Sequence, residues 1–374
     1  MKIIFAAGGT GGHINPALAV AGEIRRRNPD NEILFIGTKN HMEAQLVPAA
    51  GFAFETIEIS GFQRKPNLHN LVENIKTVGR LLKSSQAVKK ILKDFAPDVV
   101  IGFGGYVSGP VVRTAAKLGI KTAIHEQNAY PGVTNKALAK MVDAVMLTVD
   151  AAKAHLEPKT EPILTGLPVR QEILDADRDF ARAKFPVTDD TFFVLSMGGS
   201  LGAKAINEAM CGVLCAMRDR KDIFFLHATG KYGTWLPEKL EENGVHLKTQ
   251  KNMEIRDYIN DMETCLAAAD LVIGRAGASS LSEIEATGKA SILIPSPNVA
   301  ENHQYHNAMA LVERDAAMIL EEKDLTADAL TEKINALAED REAAKSLGKN
   351  AKQMAILDAT KKIADVLEQL ASAV

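Results

Sequence analysis

Residues 5–20 read FAAGGTGGHINPALAV. An apolar, strand-like run, KIIFAA, leads in, and a helix-compatible run, PALAVAGEIRRR, leads out. Between them Gly8, Gly9, Gly11 and Gly12 surround one threonine and end at His13. Strand, glycine loop and helix make a seat for a phosphate, because backbone N–H groups and the positive end of the helix dipole face an anion there. A dinucleotide fingerprint does not fit: G-x-G-x-x-G begun at Gly9 meets Ile14 where Gly or Ala is required, and the second strand, EILFIG, ends in Gly37-Thr38 where a ribose-binding acid is expected. GxxxxGK[ST] does not occur, so there is no Walker loop. What remains is a loop that brings bare backbone close to a ligand. Pro16 suits an early helical position and so places His13 at or just before the helix start. There the dipole favours neutral imidazole, the form that serves as general base toward a hydroxyl. A histidine that merely hydrogen-bonds a loop carbonyl fits the same position.

A chain of 374 residues is too long for one compact core and predicts two domains. With 46% hydrophobic and 24% charged residues the composition is that of a soluble globular protein, and a net charge of −3 argues against nucleic acid as a partner. Cys211, Cys215 and Cys265 form no CxxC pair and read as core thiols in a reducing cytoplasm. The apolar N-terminal run gives way to glycines before it could be a signal peptide, so it reads as the first strand. No apolar run reaches the roughly 18 residues of a membrane span, which points to the cytoplasm or a membrane surface.

Short β-rich runs alternate with helical patterns along the chain, as parallel sheets with helical crossovers require. Strands are expected at KIIFAA, EILFIG, PDVVIGFG, KTAIHE and AVMLTV, and LVENIKTVGRLLKSSQAVKKIL is the longest expected helix. Three prolines and a glycine in PKTEPILTGLP (158–168) mark the domain boundary. Then FFVLSMGGSLGAKAINEAM restarts the strand–loop–helix pattern, followed by DIFFLHATG, LVIGRAGASSLSEIEATG and ASILIPSP. The fold class is therefore α/β: two doubly wound, Rossmann-like parallel-sheet domains facing a cleft, with ligands at the carboxyl ends of the strands. The expected domains are 1–162 and 163–345, with a C-terminal helix over 346–374 packing back towards the first.

Other segments share the look of the first loop. In GFGGYVSGP (102–110) the glycines are expected to expose Tyr106 and Ser108, though a tight turn with a packed tyrosine reads equally well. Gly198, Gly199 and Ser200 are expected to present N–H groups and a hydroxyl at a helix start. Ser280-x-x-Glu283 has the spacing of a capping box, or else sets a carboxylate before ribose hydroxyls. Asn128 in HEQN and Gln304 in ENHQYHNA suit sugar hydroxyls because an amide both donates and accepts, whereas His125 and Glu126 read as buried structural partners.

Taken in order and spacing, GGTGGHINPALAVA, GGYVSGP, HEQNAYPGVTNKALAK, LPVR, GGSLGA, RAGASSLSEI and HQYHNA resemble the MurG family of bacterial peptidoglycan glycosyltransferases over roughly residues 1–350. The resemblance implies a GT-B fold, with the C-terminal domain holding the UDP-sugar and the N-terminal domain facing the lipid-linked acceptor. It also implies His13 as catalytic base, donor contacts at Thr10, Gly11, Gly12, Asn128, Arg170, Ser200, Ile259, Gln304 and the run Ala278, Ser279, Ser280, Leu281, Ser282 and Glu283, and acceptor-side roles for Tyr106 and Asn135. His303 stands where the family often has a second glutamine, and Leu167 where it commonly has asparagine.

The reaction so implied is inverting transfer of GlcNAc from UDP-GlcNAc to the 4-hydroxyl of undecaprenyl-pyrophosphoryl-MurNAc-pentapeptide, giving lipid II and UDP. No Asp-x-Asp makes a plausible metal clamp, since DAD at 175–177 lies in a polar stretch, so no metal and no cofactor is expected. Residues 64–93 hold eight Lys/Arg and one acid, +7 in a chain that totals −3. Leu71, Ile75, Val78 and Leu82 fall at helical spacing beside Lys76, Arg80 and Lys83, a pattern that can lie on anionic lipid. The expected location is peripheral, on the cytoplasmic face of the cell membrane, where other cell-wall synthesis proteins are available as partners. The competing readings are another GT-B enzyme, such as a UDP-GlcNAc 2-epimerase, and a non-catalytic nucleotide-sugar-binding module.

Overall fold

The computed structural model describes residues 1–59 and 84–373. Leu71, Ile75, Lys76, Val78, Arg80, Leu82 and Lys83, read above as membrane-facing, lie outside the described residues. The chain forms two units: Met1–Pro168 together with Ile356–Val374, and Val169–Ala355. The crossing thus falls after Pro168 rather than at 162, and the returning segment starts at Ile356 rather than 346. Residues 341–354 are a helix of the second unit; Ala355 ends it in extended backbone, and the next helix, Ala359–Ser372, belongs to the first.

Among the described residues the first unit holds seven parallel strands: β1 (Lys2–Ala7), β2 (Glu32–Gly37), β3 (Ala53–Thr56), β4 (Val99–Gly104), β5 (Lys121–Glu126), β6 (Ala144–Leu147) and β7 (Ile163–Leu164), in the order β3-β2-β1-β4-β5-β6-β7. Along β1, Ile3, Phe5 and Ala7 enter one core and Ile4 and Ala6 the other, the period-two split of a sheet covered on both faces. Phe35, Phe5, Phe103 and His125 stack across β2, β1, β4 and β5, with successive ring centroids 5.0, 6.1 and 5.3 Å apart. Each buried phenylalanine is worth about 2–3 kcal/mol of apolar burial, and the stack fixes the loops that follow those strands. The helix Ala359–Ser372 buries Ile363, Ala364 and Leu367 in the same core, while Asp365 and Glu368 take Arg27 at 2.6 and 2.8 Å.

The second unit repeats the plan with β8 (Phe192–Met197), β9 (Ile223–Ala228), β10 (Met253–Arg256), β11 (Leu271–Gly274), β12 (Ala290–Leu293) and β13 (Met318–Ile319), in the order β10-β9-β8-β11-β12-β13. Phe192 and Val194 face one core, Phe193 and Leu195 the other. In both sheets the order reverses beside the first strand, between β1 and β4 and between β8 and β11. The loops leaving such a switch point diverge and leave room for a ligand. Among the described residues, no helix is long and apolar enough to cross a membrane.

Candidate active site

In the first unit the loop after β1 turns at Gly9 (φ 89°), Thr10 is the N-cap, and the helix runs Gly11–Arg27. His13 is therefore inside the first turn, not ahead of it, and Pro16 sits within the helix rather than at its start. Gly8 O and Thr10 Oγ lie 3.1 and 3.4 Å from His13 Nδ1. A carbonyl only accepts, so Nδ1 carries the proton and donates to Gly8, which leaves the lone pair of the neutral ring on Nε2. Gly104, at the end of β4, holds φ 101°, and a Cβ there would lie 2.8 Å from His13 Cδ2 and 2.9 Å from Nε2. Only glycine lets that backbone close against the imidazole. Tyr106 is exposed, but Ser108 is fully buried. Its hydroxyl accepts from Gly104 N–H at 2.9 Å and lies 2.8 Å from Ala6 O, so it staples β4 to β1 instead of facing a ligand.

At the end of β5, Glu126 is a buried hub. One oxygen accepts from the backbone and side-chain amides of Asn128 at 2.9 and 3.1 Å. The other accepts from Gly132 N–H at 3.2 Å and Asn135 Nδ2 at 2.8 Å. Burial raises its pKa, and these four donors pull it back only in part. His125 Nε2–H donates to Gly166 O at 2.9 Å, and burial lowers its pKa to about 4, so both are the structural partners that the sequence suggested. Asn135, expected toward an acceptor, is buried with its amide turned onto Glu126 and holds the corner that carries Asn128.

In the second unit the loop after β8 makes an extra turn, with Gly202 N–H bonded to Gly199 O at 2.9 Å. Ala203 is the N-cap of the helix Lys204–Ala216, so Ser200 stands exposed on the turn and not at a helix start. Gly202 (φ 81°) packs on the next loop so closely that a Cβ would lie 2.1 Å from Thr229 O. Behind them a buried chain runs from Ser196 Oγ–H to His227 Nδ1 (2.8 Å) and from His227 Nε2–H to Asn207 Oδ1 (3.2 Å). Asn207 Nδ2 then donates to Thr229 O at 2.8 Å. Burial lowers the His227 pKa to about 4.

The loop after β11 ends at Gly277, the N-cap of the helix Ala278–Thr287. Ser280 is the third residue of that helix and forms no cap, so the capping-box spacing is not used. Glu283 instead faces Arg170, 3.6 Å away. Burial lifts the Glu283 pKa, and the Arg170 guanidinium opposes the rise. Ala278, Ser279 and Ser280 are half-exposed on the first turn, where helical N–H groups have no partner within the helix. Leu281 and Ser282 are buried, and the Ile259 side chain is part of the core, so only main chain at Ile259 could meet a base. Asn307, absent from the sequence reading, donates to Ala276 O at 3.1 Å and fixes this loop. After β12 come two non-glycine residues in left-handed backbone, Glu301 (φ 53°) and Asn302 (φ 49°), strain of the kind stored at ligand sites. Gln304 follows them and accepts Ser296 N–H at 2.8 Å, while His303 bonds Ala300 O at 2.8 Å.

Residues 3–147 match the glycosyltransferase family 28 N-terminal domain and residues 193–369 its C-terminal domain. Curated relatives named UDP-N-acetylglucosamine–N-acetylmuramyl-(pentapeptide) pyrophosphoryl-undecaprenol N-acetylglucosamine transferase include those of Desulfitobacterium hafniense and Acetivibrio thermocellus. The first is 45% identical over 368 residues, covering 98% of both chains. The second is 42% identical over 374 residues, covering 99% of this chain and 98% of the relative. The crystal structure of Acinetobacter baumannii MurG superposes with a TM-score of 0.80 at 28% identity, over 98% of this chain and 99% of that one. The chain belongs to glycosyltransferase family 28, within the MurG family of N-acetylglucosaminyltransferases.

Proposed function

We propose that this chain transfers GlcNAc from UDP-GlcNAc to the 4-hydroxyl of undecaprenyl-pyrophosphoryl-MurNAc-pentapeptide with inversion, forming lipid II and UDP. The observation that carries the mechanism is the tautomer at His13: Nδ1–H is spent on Gly8 O, so Nε2 is the nitrogen with a lone pair. Nε2 takes the acceptor's hydroxyl proton as its oxygen attacks the anomeric carbon and the bond to UDP breaks. The Gly8 carbonyl then steadies the imidazolium. Charge that develops on the diphosphate is met by the N–H groups of Ala278, Ser279 and Ser280 and by the loop at Ser200, with Arg170 beside Glu283. Glu283 accepts ribose hydroxyls, main chain at Ile259 meets the uracil, and Thr10, Gly11, Gly12 and Asn128 of the first unit and Gln304 of the second are the residues the family resemblance assigns to the donor sugar. Tyr106 lies toward the acceptor.

The acceptor is lipid-linked, so the enzyme works at the cytoplasmic face of the membrane as a peripheral protein. The basic stretch 64–93, with +7 net charge, is the segment suited to anionic lipid. Charge reversal at Lys76, Arg80 and Lys83 is expected to weaken binding to anionic vesicles, and unchanged binding would discard that surface. The reaction itself is tested by UDP release from UDP-GlcNAc with and without the lipid-linked acceptor. Acceptor-dependent release is expected. No release would leave a binding module, and a 2-epimerised sugar in place of steady UDP release would mark an epimerase.

A further inference from the structure

Glu43 opens the short helix Glu43–Ala49, and its side chain is fully buried. One carboxylate oxygen accepts Gly9 N–H at 3.1 Å. The other accepts Thr38 N–H at 3.1 Å and the Thr38 hydroxyl at 2.6 Å. That hydroxyl has one proton and gives it to Glu43, so His41 Nδ1–H, 2.7 Å away, donates to Thr38. The same carboxylate presses on Gly8, where a Cβ would lie 2.7 Å from its oxygen. Gly8 in turn supplies the carbonyl that receives His13 Nδ1–H.

Burying a carboxylate costs several kcal/mol unless donors surround it. Here burial pushes the carboxyl up, and the Thr38 and Gly9 donors outweigh it, so the group stays anionic below the ordinary carboxylate value. These donors, with Glu43's own backbone N–H, converge on an acceptor that has no proton to return. Glutamine in its place would turn an NH2 group onto one of those N–H groups. We propose that Glu43 is a positioning residue for His13: it locks the Gly8–Gly9 backbone whose carbonyl fixes the ring tautomer, and so keeps the basic lone pair on Nε2. This rests on His13 acting as the base.

The test compares Glu43→Gln, Glu43→Asp and Thr38→Val with wild type in three readouts: turnover with the lipid-linked acceptor, UDP binding by calorimetry, and 15N NMR of histidine side chains, with His13→Gln used to assign the signal. Glu43→Gln is expected to lower kcat about 100-fold, the usual effect of displacing a reacting group by about 1 Å, and to leave the Kd for UDP within about twofold. The His13 signal is expected to lose its Nδ1–H form. Glu43→Asp recovers part of the rate, and Thr38→Val, which keeps the carboxylate and removes one donor, lowers kcat about fivefold. If Glu43→Gln does not fold, Thr38→Val with the NMR readout decides. An unchanged tautomer in the folded variants, or loss of UDP binding in step with kcat, overturns the proposal. A shifted tautomer together with full turnover by His13→Ala would keep the positioning and discard the base.

Discussion

The glycine loops after β1 and β8 occupy the same place in sheets of the same topology, yet they are built differently. The first enters its helix at once, with Thr10 as N-cap, so a side chain three residues on, His13, projects from the first turn. The second spends Gly199–Gly202 on an extra turn and starts its helix only at Lys204. It is locked from behind by Gly202 on Thr229 and by the Ser196–His227–Asn207 chain. One loop delivers an imidazole of fixed tautomer; the other offers main chain on a rigid support. We read this as a division of labour, proton removal in the first domain and nucleotide holding in the second.

Four changes sharpen or break that division. His13→Ala has the largest expected effect: kcat falls about 1,000-fold, near 4 kcal/mol of barrier, in acceptor-dependent UDP release. Near-normal turnover would remove the base. Next comes Gly104→Ala, whose Cβ would meet the His13 ring at 2.8 Å. It is expected to cost about 100-fold in kcat, with the KM for UDP-GlcNAc little changed; equal loss in both would mean general disruption.

The third concerns stability. His227 has a pKa of about 4 in the folded domain against an ordinary 6.5, so below pH 6.5 the unfolded chain takes a proton that the folded one refuses. Stability is therefore lost as pH falls from 6.5 toward 4, by about 2 kcal/mol at pH 5. Glu285, lifted to about 7 by burial, works in the opposite sense but is common to wild type and His227→Asn. Urea unfolding of the two proteins at pH 7 and pH 5 is expected to show the wild type's advantage shrinking by that amount; a constant difference would contradict it. The smallest effect is expected for Glu283→Gln, a roughly tenfold weaker Kd for UDP, about 1.4 kcal/mol, with kcat for bound donor retained.

Most central strands were legible because apolar runs fill them, as in FFVLSM, where Phe192–Leu195 are core, Ser196 is buried and Met197 is half-buried. The four strands that the sequence does not announce, β3, β7, β10 and β13, are the outermost of their sheets. Their short runs AFET, IL, MEIR and MI are mostly half-buried or exposed, so they lack the apolar signal. His13 was legible because chain-local spacing places it on its loop. Ser108 misled because a small hydroxyl beside glycines serves a buried staple as readily as a ligand, and the Ser280-x-x-Glu283 spacing suggested a capping box that the helix does not use. Glu43 gave no signal: its Gly9 partner is 34 residues away and is a backbone N–H, which no spacing rule encodes. Asn207 and Asn307 likewise act on carbonyls far along the chain.

The division of labour is tested most directly by titrating UDP into folded His13→Ala in a calorimeter. The account predicts a Kd within about twofold of wild type, because it assigns the nucleotide to main chain and Glu283 of the second domain. Loss of UDP affinity as large as the loss of turnover would show that His13 holds the nucleotide, and would contradict its role as the base.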